Sequence, residues 1–306
     1  MKHLFIINPA AAGNKGRVPE LRAELTAFLD GRGLPYELYV TRAPGDAAVK
    51  IRAEAEGQDE LRVYACGGDG TLNECVNGAF SLPNVAVTHY PRGTGNDFVK
   101  TFGEDARGFY DLARLTGGFV HPVDLIDVNG YKAVSVCSVG IDARIGTDVH
   151  TYSALPLAGG AAGYLVSLAV NIVRGINMDM TVTAGGETYA GRFALACVCN
   201  GRYYGGGFNP IPEADPCDGK LDVLLIRETS LPAFLALVGR YAKGRYRELG
   251  ERAVRLTAES IEIASDKPFV INADGEALYG DTARMTVLPG GARVIFPSGT
   301  RFFEGH

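Results

Sequence analysis

Basic residues are the first shortage. Thirty Lys and Arg stand against 35 Asp and Glu, a formal net charge of −5 with a pI near 5.6. A chain so charged has no general positive field, which excludes nucleic acid as its main partner and leaves acidic membranes without a global attraction. Paired cysteine spacing is missing too. Cys66, Cys75, Cys137, Cys197, Cys199 and Cys217 form no CxxC pair, and three of them fall inside apolar runs, so they read as small hydrophobes and reduced thiols rather than a zinc or disulfide framework. His3, His89, His121 and His150 share no spacing that suggests a metal or a catalytic pair. Long apolar runs are absent. Leu4–Ile7 is too short for a signal peptide or anchor, and Leu155 to Ile176 is interrupted by Gly159, Gly160, Gly163, Asn171 and Arg174, which predicts a buried or surface helix and not a membrane span. The expected location is the cytoplasm. No internal repeat or low-complexity tract divides the chain, and 306 residues suggest roughly two domains, each with a sizeable core.

What is present is organised around Tyr64-Ala65-Cys66-Gly67-Gly68-Asp69-Gly70-Thr71-Leu72-Asn73-Glu74. Leu61–Cys66 has the length and apolar character of a buried strand, and Leu72–Phe80 can form a helix, so the glycines sit where strand becomes helix. Gly67, Gly68 and Gly70 let main-chain N–H groups approach a bulky anion without a Cβ in the way. Thr71 or Asn73 is the expected helix cap, and the helix dipole adds preference for negative charge. A carboxylate facing phosphates repels them unless a divalent cation lies between, so Asp69 in this turn points to magnesium. Taken alone, a glycine-rich turn with a capping Asp accounts for the stretch equally well.

The rest of the first half alternates strand and helix patterns. Leu4–Ile7, Tyr36–Val40 and Val85–His89 read as strands; Pro19–Asp30, Ala47–Glu56 and Asn96–Thr101 read as helices, together predicting a mostly parallel, helix-covered sheet. Ligands of such sheets bind beyond the carboxyl ends of the strands. Three loops emerge there: Asn8-Pro9 through Gly16, Gly67–Thr71, and Pro91–Asp97 with Gly93, Thr94, Gly95 and Asn96. Thr41 adds a hydroxyl to the same rim, unless it is only a cap. After about Asp127 short β-rich runs dominate: Lys132–Val139, Met180–Thr183, Phe193–Cys199, Leu221–Ile226, Ile261–Ala264, Pro268–Ile271, Met285–Leu288 and Arg293–Phe296, with Leu231–Lys243 as an inserted helix. That predicts a mostly antiparallel second domain over residues 128–296 beside a first over residues 1–127, with the tail 297–306 folding back on the first to bury Phe302 and Phe303. In the second half, Asp215 and Asp218 precede Gly219 and Lys220 in a loop that offers an oxygen shell for a cation or is simply an acidic turn. Asp274-Gly275 follows an apolar strand and reads by itself as a hairpin turn.

Gly67-Gly68-Asp69-Gly70-Thr71 followed by Gly93-Thr94-Gly95-Asn96-Asp97-Phe98 resembles the diacylglycerol kinase catalytic family, which includes soluble bacterial lipid kinases and the sphingosine and ceramide kinases. Further segments are similar in the family's order: the Asn8-Pro9 loop, Asp124, Val139–Ala143, Asn200 with Gly205–Gly207, Pro212–Asp222, and Asp274-Gly275-Glu276. The resemblance implies an N-terminal Rossmann-like α/β nucleotide-binding domain beside a C-terminal β-sandwich, as in NAD kinase-like folds, with ATP and lipid meeting between them. It implies ATP contacts from Asn8, Pro9, Thr41, Gly67, Gly68, Asp69, Gly70, Thr71, Asn73, Glu74, Gly93, Thr94 and Asn96. It implies Asp274 as the general base on the lipid hydroxyl, Asp69, Asp97 and Asp124 as the catalytic Mg2+ network, and Asp215, Asp218 and the Lys220 carbonyl as a structural Mg2+ site.

Phosphoryl transfer needs positioning and charge neutralisation more than covalent chemistry, so carboxylates, Mg2+ and backbone donors suffice. Ala11 and Ala12 depart from the family's Ser-Gly, removing a hydroxyl, and Ser135 stands where bacterial relatives often carry asparagine. The expected partners are ATP, a lipid alcohol and a membrane met transiently at its periphery, with homodimerisation left open. Tyr203, Tyr204, Phe208 and Leu155–Ile176 are candidates for the acyl cleft or for core. Two alternatives stay open: an NAD kinase-like small-molecule kinase, and a nucleotide-sensing regulatory protein without kinase activity.

Overall fold

The computed structural model of the protein describes residues 1–146, 171 and 175–305. The predicted segment Leu155–Ile176 lies outside these residues except for Asn171, Gly175 and Ile176. The chain forms two compact units, Met1–Asp124 with Pro289–His306, and Leu125–Leu288.

The first unit is the α/β one. Strands β1 (Lys2–Ile7), β2 (Tyr36–Val40), β3 (Leu61–Gly67) and β4 (Val85–Pro91) lie parallel in the order β4-β3-β1-β2. Every residue of β4 and all but one of β3 are buried, which is why these strands read as continuous apolar runs: helices cover both faces of a parallel sheet. Helix α1 (Val18–Asp30) buries Leu21, Leu25 and Leu29 at helical spacing, with Pro19 in its first turn. Helix α2 (Asp46–Ala55) buries Ala47, Ile51 and Ala55. Helix α3 (Asp69–Ala79) crosses α2 closely, since a Cβ added at Gly78 would lie 2.6 Å from the Cα of Ala48. A short helix α4 (Asp97–Lys100) and a 3-10 helix (Gly103–Tyr110) follow β4.

The final stretch of the chain returns to this unit. Val294 pairs in parallel with Val87, and Phe302 and Phe303 stack edge-on against Phe102 and Phe296 at ring-centroid distances of 5.0 and 4.7 Å. Phe302 and Phe303 are half-buried there. The second unit ends at Leu288, where the sequence places its end at 296; residues Pro289–Phe296 belong to the first unit because their strand finishes beside β4.

The second unit is antiparallel. Strand β5 (Phe119–Val128) leads into it, and β6 (Tyr131–Ala133), β7 (Val136–Gly140), β8 (Met178–Ala184), β9 (Glu187–Cys199), β10 (Leu221–Arg227), β11 (Ala253–Ala258), β12 (Ser260–Ala273) and β13 (Glu276–Phe296) complete the set. The long strands each serve several partners: β9 pairs with β8 along its first half and with β7 and β10 along its second, and β12 pairs with β13 and, on its other edge, with β8 and then β7. Alternate residues feed separate cores. Ala196, Val198, Val223 and Leu225 join one cluster, while Leu195, Cys197, Cys199, Leu224 and Ile226 join another, capped by the helix Leu231–Ala242. Burial on both faces explains runs without polar alternation.

Several predicted elements are redrawn. Ile261–Ala264 and Pro268–Ile271 are one strand with a bulge, and Met285–Leu288 and Arg293–Phe296 are parts of one 21-residue strand. Lys132–Val139 is two strands, β6 and β7, parted at Val134 and Ser135.

Candidate active site

The ends of β1, β3 and β4 are neighbours in one parallel sheet, so the loops that leave them are neighbours too. Backbone bonds lace them together: Gly13 donates to the Arg92 carbonyl at 2.7 Å, Arg92 to the Gly67 carbonyl at 2.7 Å, and Asn8 to the Cys66 carbonyl at 3.1 Å. Asn8 Nδ2 donates to Thr71 Oγ1 at 2.9 Å while its Oδ1 accepts the Ala10 N–H. Gly68 and Gly93 touch backbone to backbone; a Cβ at Gly93 would fall 2.4 Å from the Gly68 Cα, and one at Gly67 would fall 2.2 Å from Thr71 Oγ1. Glycine is obligatory at both for steric reasons. Gly70 has nothing within 4 Å of a built Cβ, so its side faces open space.

Asn96, at φ +52, closes the third loop on itself, accepting the Gly93 N–H at 3.0 Å and donating back to the Gly93 carbonyl at 2.9 Å. Thr94 and Pro9 are exposed at the rim, and Thr41 sits at the end of β2 with its N–H on the Ile7 carbonyl at 2.9 Å. One residue the sequence reading passed over completes the lacing. Asn14 is buried, and its Nδ2 bridges the carbonyls of Asn8 and Cys66, each at 2.8 Å. Its signal was its place in a loop of small residues, where an amide can satisfy carbonyls that strand pairing leaves behind.

Two expectations for this region, the start of the helix and its cap, are corrected. The helix begins at Asp69, not Leu72, with Gly68 at the cap, so Thr71 and Asn73 are inside the first turns and cap nothing. Asn73 is buried and accepts from Asn77 Nδ2 at 2.7 Å on its own helix. Glu74 turns to α2, where Oε1 accepts the Ala47 N–H at 2.7 Å; its carboxylate closes the start of that helix, whose dipole favours it.

The acidic residues are held individually. Asp69 Oδ1 accepts the Phe98 N–H at 3.1 Å, Asp97 Oδ1 the Lys100 ammonium at 2.7 Å, and Asp124 Oδ1 the Gly290 N–H at 2.7 Å. Among the described residues no three His, Cys, Asp or Glu side chains are grouped to hold a metal directly. Asp69, Asp97 and Asp124 therefore do not form a three-carboxylate cage. His89, buried beneath the turn with Nε2 3.0 Å from the Gly67 carbonyl, has its pKa lowered by burial, partly offset by Asp69 and that carbonyl.

In the second unit Asp274 follows the last residue of β12 at φ +50, a conformation Asp tolerates better than most residues. Its carboxylate is turned onto the break between β6 and β7: it accepts the N–H groups of Val134, of Ser135 at 3.1 Å and of Val136 at 2.8 Å, while its own N–H donates to the Val136 carbonyl at 3.0 Å. Asn200 grips the same break from the other side, with Nδ2 on the Val134 carbonyl and N–H on the Ser135 carbonyl, both at 2.8 Å. This is why Lys132–Val139 is not one strand.

Asp215 Oδ1 and Asp218 Oδ1 accept the N–H groups of Cys217 at 3.0 Å and Lys220 at 2.9 Å, two successive Asx turns. Burial raises the Asp218 pKa, the Lys220 N–H offsets this, and the nearby Asp222 and Asp215 charges add to it. Asp142 lies in the Val139–Ala143 segment, whose likeness to the family carried no role for its carboxylate. Asp142 Oδ2 accepts from Tyr204 at 2.7 Å, and Tyr204 shares a 2.8 Å bond with Tyr241. The residue keeps some exposure, but Oδ1 is out of contact with solvent, and burial pushes the carboxyl up to about 6 against the opposing pull of Tyr204, Ser138 and backbone N–H groups. Tyr204 and Phe208, offered as cleft or core, pack against the second core cluster.

One unit is a parallel sheet with laced glycine loops and the other is antiparallel and carries an acidic corner, which defines a two-domain α/β plus all-β class of fold. Residues 2–128 match the diacylglycerol kinase catalytic domain family and residues 135–296 the YegS C-terminal NAD kinase beta sandwich-like domain family; the chain belongs to this lipid kinase family. It is 28% identical over 310 residues to a "Probable lipid kinase YegS-like" of Stenotrophomonas maltophilia (strain K279a), covering 98% of each chain. A protein of the same description from Pseudomonas aeruginosa is 29% identical over 302 residues, covering 98% of this chain and 95% of that one. Among solved structures, a diacylglycerol kinase from Bacillus anthracis str. Sterne shares the fold at a TM-score of 0.71 and 24% identity, covering 98% of both chains. A second structure from that organism gives 0.75 and 25%, covering 98% of this chain and 96% of its own.

Proposed function

We propose that this member of the family is an ATP- and Mg2+-dependent kinase that phosphorylates the hydroxyl of a lipid alcohol such as diacylglycerol. The observation that carries the reading is the lacing of the 8–14, 67–71 and 91–96 loops into one glycine-lined rim at the carboxyl ends of β1, β3 and β4. Backbone donors with no Cβ in front of them suit polyphosphate. Gly67, Gly68, Gly70 and Gly93 form the cradle, and Asn8, Asn14 and Asn96 fix its shape.

Hard oxygen donors fit magnesium, which keeps waters and takes one or two carboxylates plus substrate phosphates. Asp69, Asp97 and Asp124 would hold the catalytic ion, and Asp215, Asp218 and the Lys220 carbonyl a structural one. When bound, the catalytic ion would supply neutralisation of the phosphate oxygens. Asp274 is assigned the proton of the acceptor hydroxyl. Its two oxygens are already aimed by backbone donors, so it is preorganised, and a base acting late in transfer contributes ~10²–10⁴-fold.

The test is radiolabelled ATP against a panel of detergent-dispersed lipid alcohols, with and without magnesium, products separated by polarity. A phosphorylated lipid formed only with the metal is the expected result. Turnover with soluble acceptors alone would favour a small-molecule kinase. Nucleotide binding without any phosphorylated product would favour a sensor.

A further inference from the structure

The helix Leu231–Ala242 wears its apolar residues on both sides. Inward, Phe234, Leu237 and Tyr241 pack on the second core cluster at helical spacing. Outward, Leu231, Pro232, Leu235, Ala236 and Gly239 are exposed, the two leucines at 38% and 53%, one turn apart on the same stripe. The helix carries no charge before Arg240. The other large exposed hydrophobics described, such as Val49 and Tyr279, are placed elsewhere.

Cations gather where the helix ends. Arg240, Lys243, Arg245 and Arg247 are all exposed; Glu248 takes Arg245 at 2.6 Å and Arg240 at 3.3 Å, Glu213 takes Arg247 at 2.8 Å, and Glu251 is exposed in the same segment, so cations are in excess over these anions. In a chain of net charge −5 this is a local reversal. A bare apolar stripe bordered by a turn with more cations than anions matches the interface of an anionic bilayer, where leucines reach the acyl boundary and cations meet phosphates. A second copy of the chain fits less well, since a self-complementary contact would bring the two basic turns toward each other.

We infer that the helix Leu231–Ala242 seats in the headgroup layer of a membrane containing anionic lipid, with Leu231 and Leu235 inserted and Arg240 to Arg247 on the phosphates. This deepens the lipid kinase reading and rests on it for its reason, because the acceptor of such an enzyme stands in a bilayer.

The experiment is sedimentation of the full chain with phosphatidylcholine vesicles, with and without phosphatidylglycerol, needing neither ATP nor turnover. Binding is expected only with the anionic lipid. Leu235→Ser should weaken it about tenfold, and Lys243→Ser about fivefold in low salt. Val49→Ser and Tyr279→Ser, at 68% and 74% exposed positions, should leave it unchanged. All four should keep the wild-type melting temperature. Equal binding by Leu235→Ser and wild type, no binding by wild type, or a concentration-dependent dimer abolished by Leu235→Ser in a protein that ignores vesicles would each overturn the inference. A chain that binds vesicles through Leu235 but phosphorylates no lipid would fail as a kinase while the docking surface stands.

Discussion

Asp274 carries two jobs on one carboxylate. Because it holds the N–H groups of Val134, Ser135 and Val136, Asp274→Asn sets an amide against donors that need an acceptor. Expected losses are ~10²–10⁴-fold in turnover and about 1–3 kcal/mol in unfolding free energy, with nucleotide affinity unchanged. Denaturant curves beside turnover separate the two; a rate loss accounted for by unfolded enzyme would leave Asp274 a purely structural residue. Two groups, His3 and Asp142, predict opposite pH limbs. His3, buried with Nδ1 2.8 Å from the Tyr64 hydroxyl, is lowered by burial from 6.5 to about 4, with Arg62 adding to the effect. Between those values the unfolded chain binds a proton that the folded chain refuses, so stability is complete above about 6.5 and falls as pH drops toward 4. Asp142, raised from 3.8 to about 6, does the reverse: its contribution is complete below 3.8 and disappears as pH rises through 6. His3→Gln should remove about 1–2 kcal/mol of the acid sensitivity between neutral pH and pH 5. Asp142→Asn should flatten the change between about 4 and 6 by a similar amount, both read from melting temperature against pH.

Elements show why some glycines matter and others do not. Gly93→Ala drives a methyl into the Gly68 backbone, which cannot yield without opening the loops; about 1–3 kcal/mol of stability and at least tenfold in ATP affinity should go. Gly70→Ala meets nothing and should leave the fold intact, so any affinity it loses reports the nucleotide itself. Calorimetry of ATP binding to the two variants checks both. Glu74→Gln should cost about 0.5–2 kcal/mol through the start of α2 and leave ATP affinity alone. The helices with Leu21, Leu25 and Leu29 or Ala47, Ile51 and Ala55 were legible because one apolar stripe settles both their period and their buried face. The β6–β7 break was not: Lys132–Val139 has the composition of one strand, and what parts it is Asp274 and Asn200, far off in sequence.

At the scale of the molecule, the C-terminal segment is a structural part of the first unit. Phe302 and Phe303 close a ring cluster with Phe102, Phe296 and His121, and Asp105 accepts the N–H groups of Arg301 and Phe302, each at 2.8 Å. Truncation after Thr300 should therefore lower unfolding stability by about 2–4 kcal/mol, measured by denaturant titration, since two large aromatic surfaces and two bonds go together. Among the described residues no helix is long and apolar enough to cross a membrane.

The sequence by itself determined the alternation of strands and helices in the first half, the β-rich texture of the second, and the presence of a glycine turn with its carboxylate, because these rest on local periodicity and backbone freedom. Only the tertiary structure decided which acidic groups face which backbone. Glu74 bonds the start of a neighbouring helix, Asp274 a strand break, and Asn14 two strand ends, and each answer depends on N–H and C=O groups that chain folding brings within reach. A carboxylate is identical in sequence whether it caps, locks or binds; the donor opposite it makes the difference.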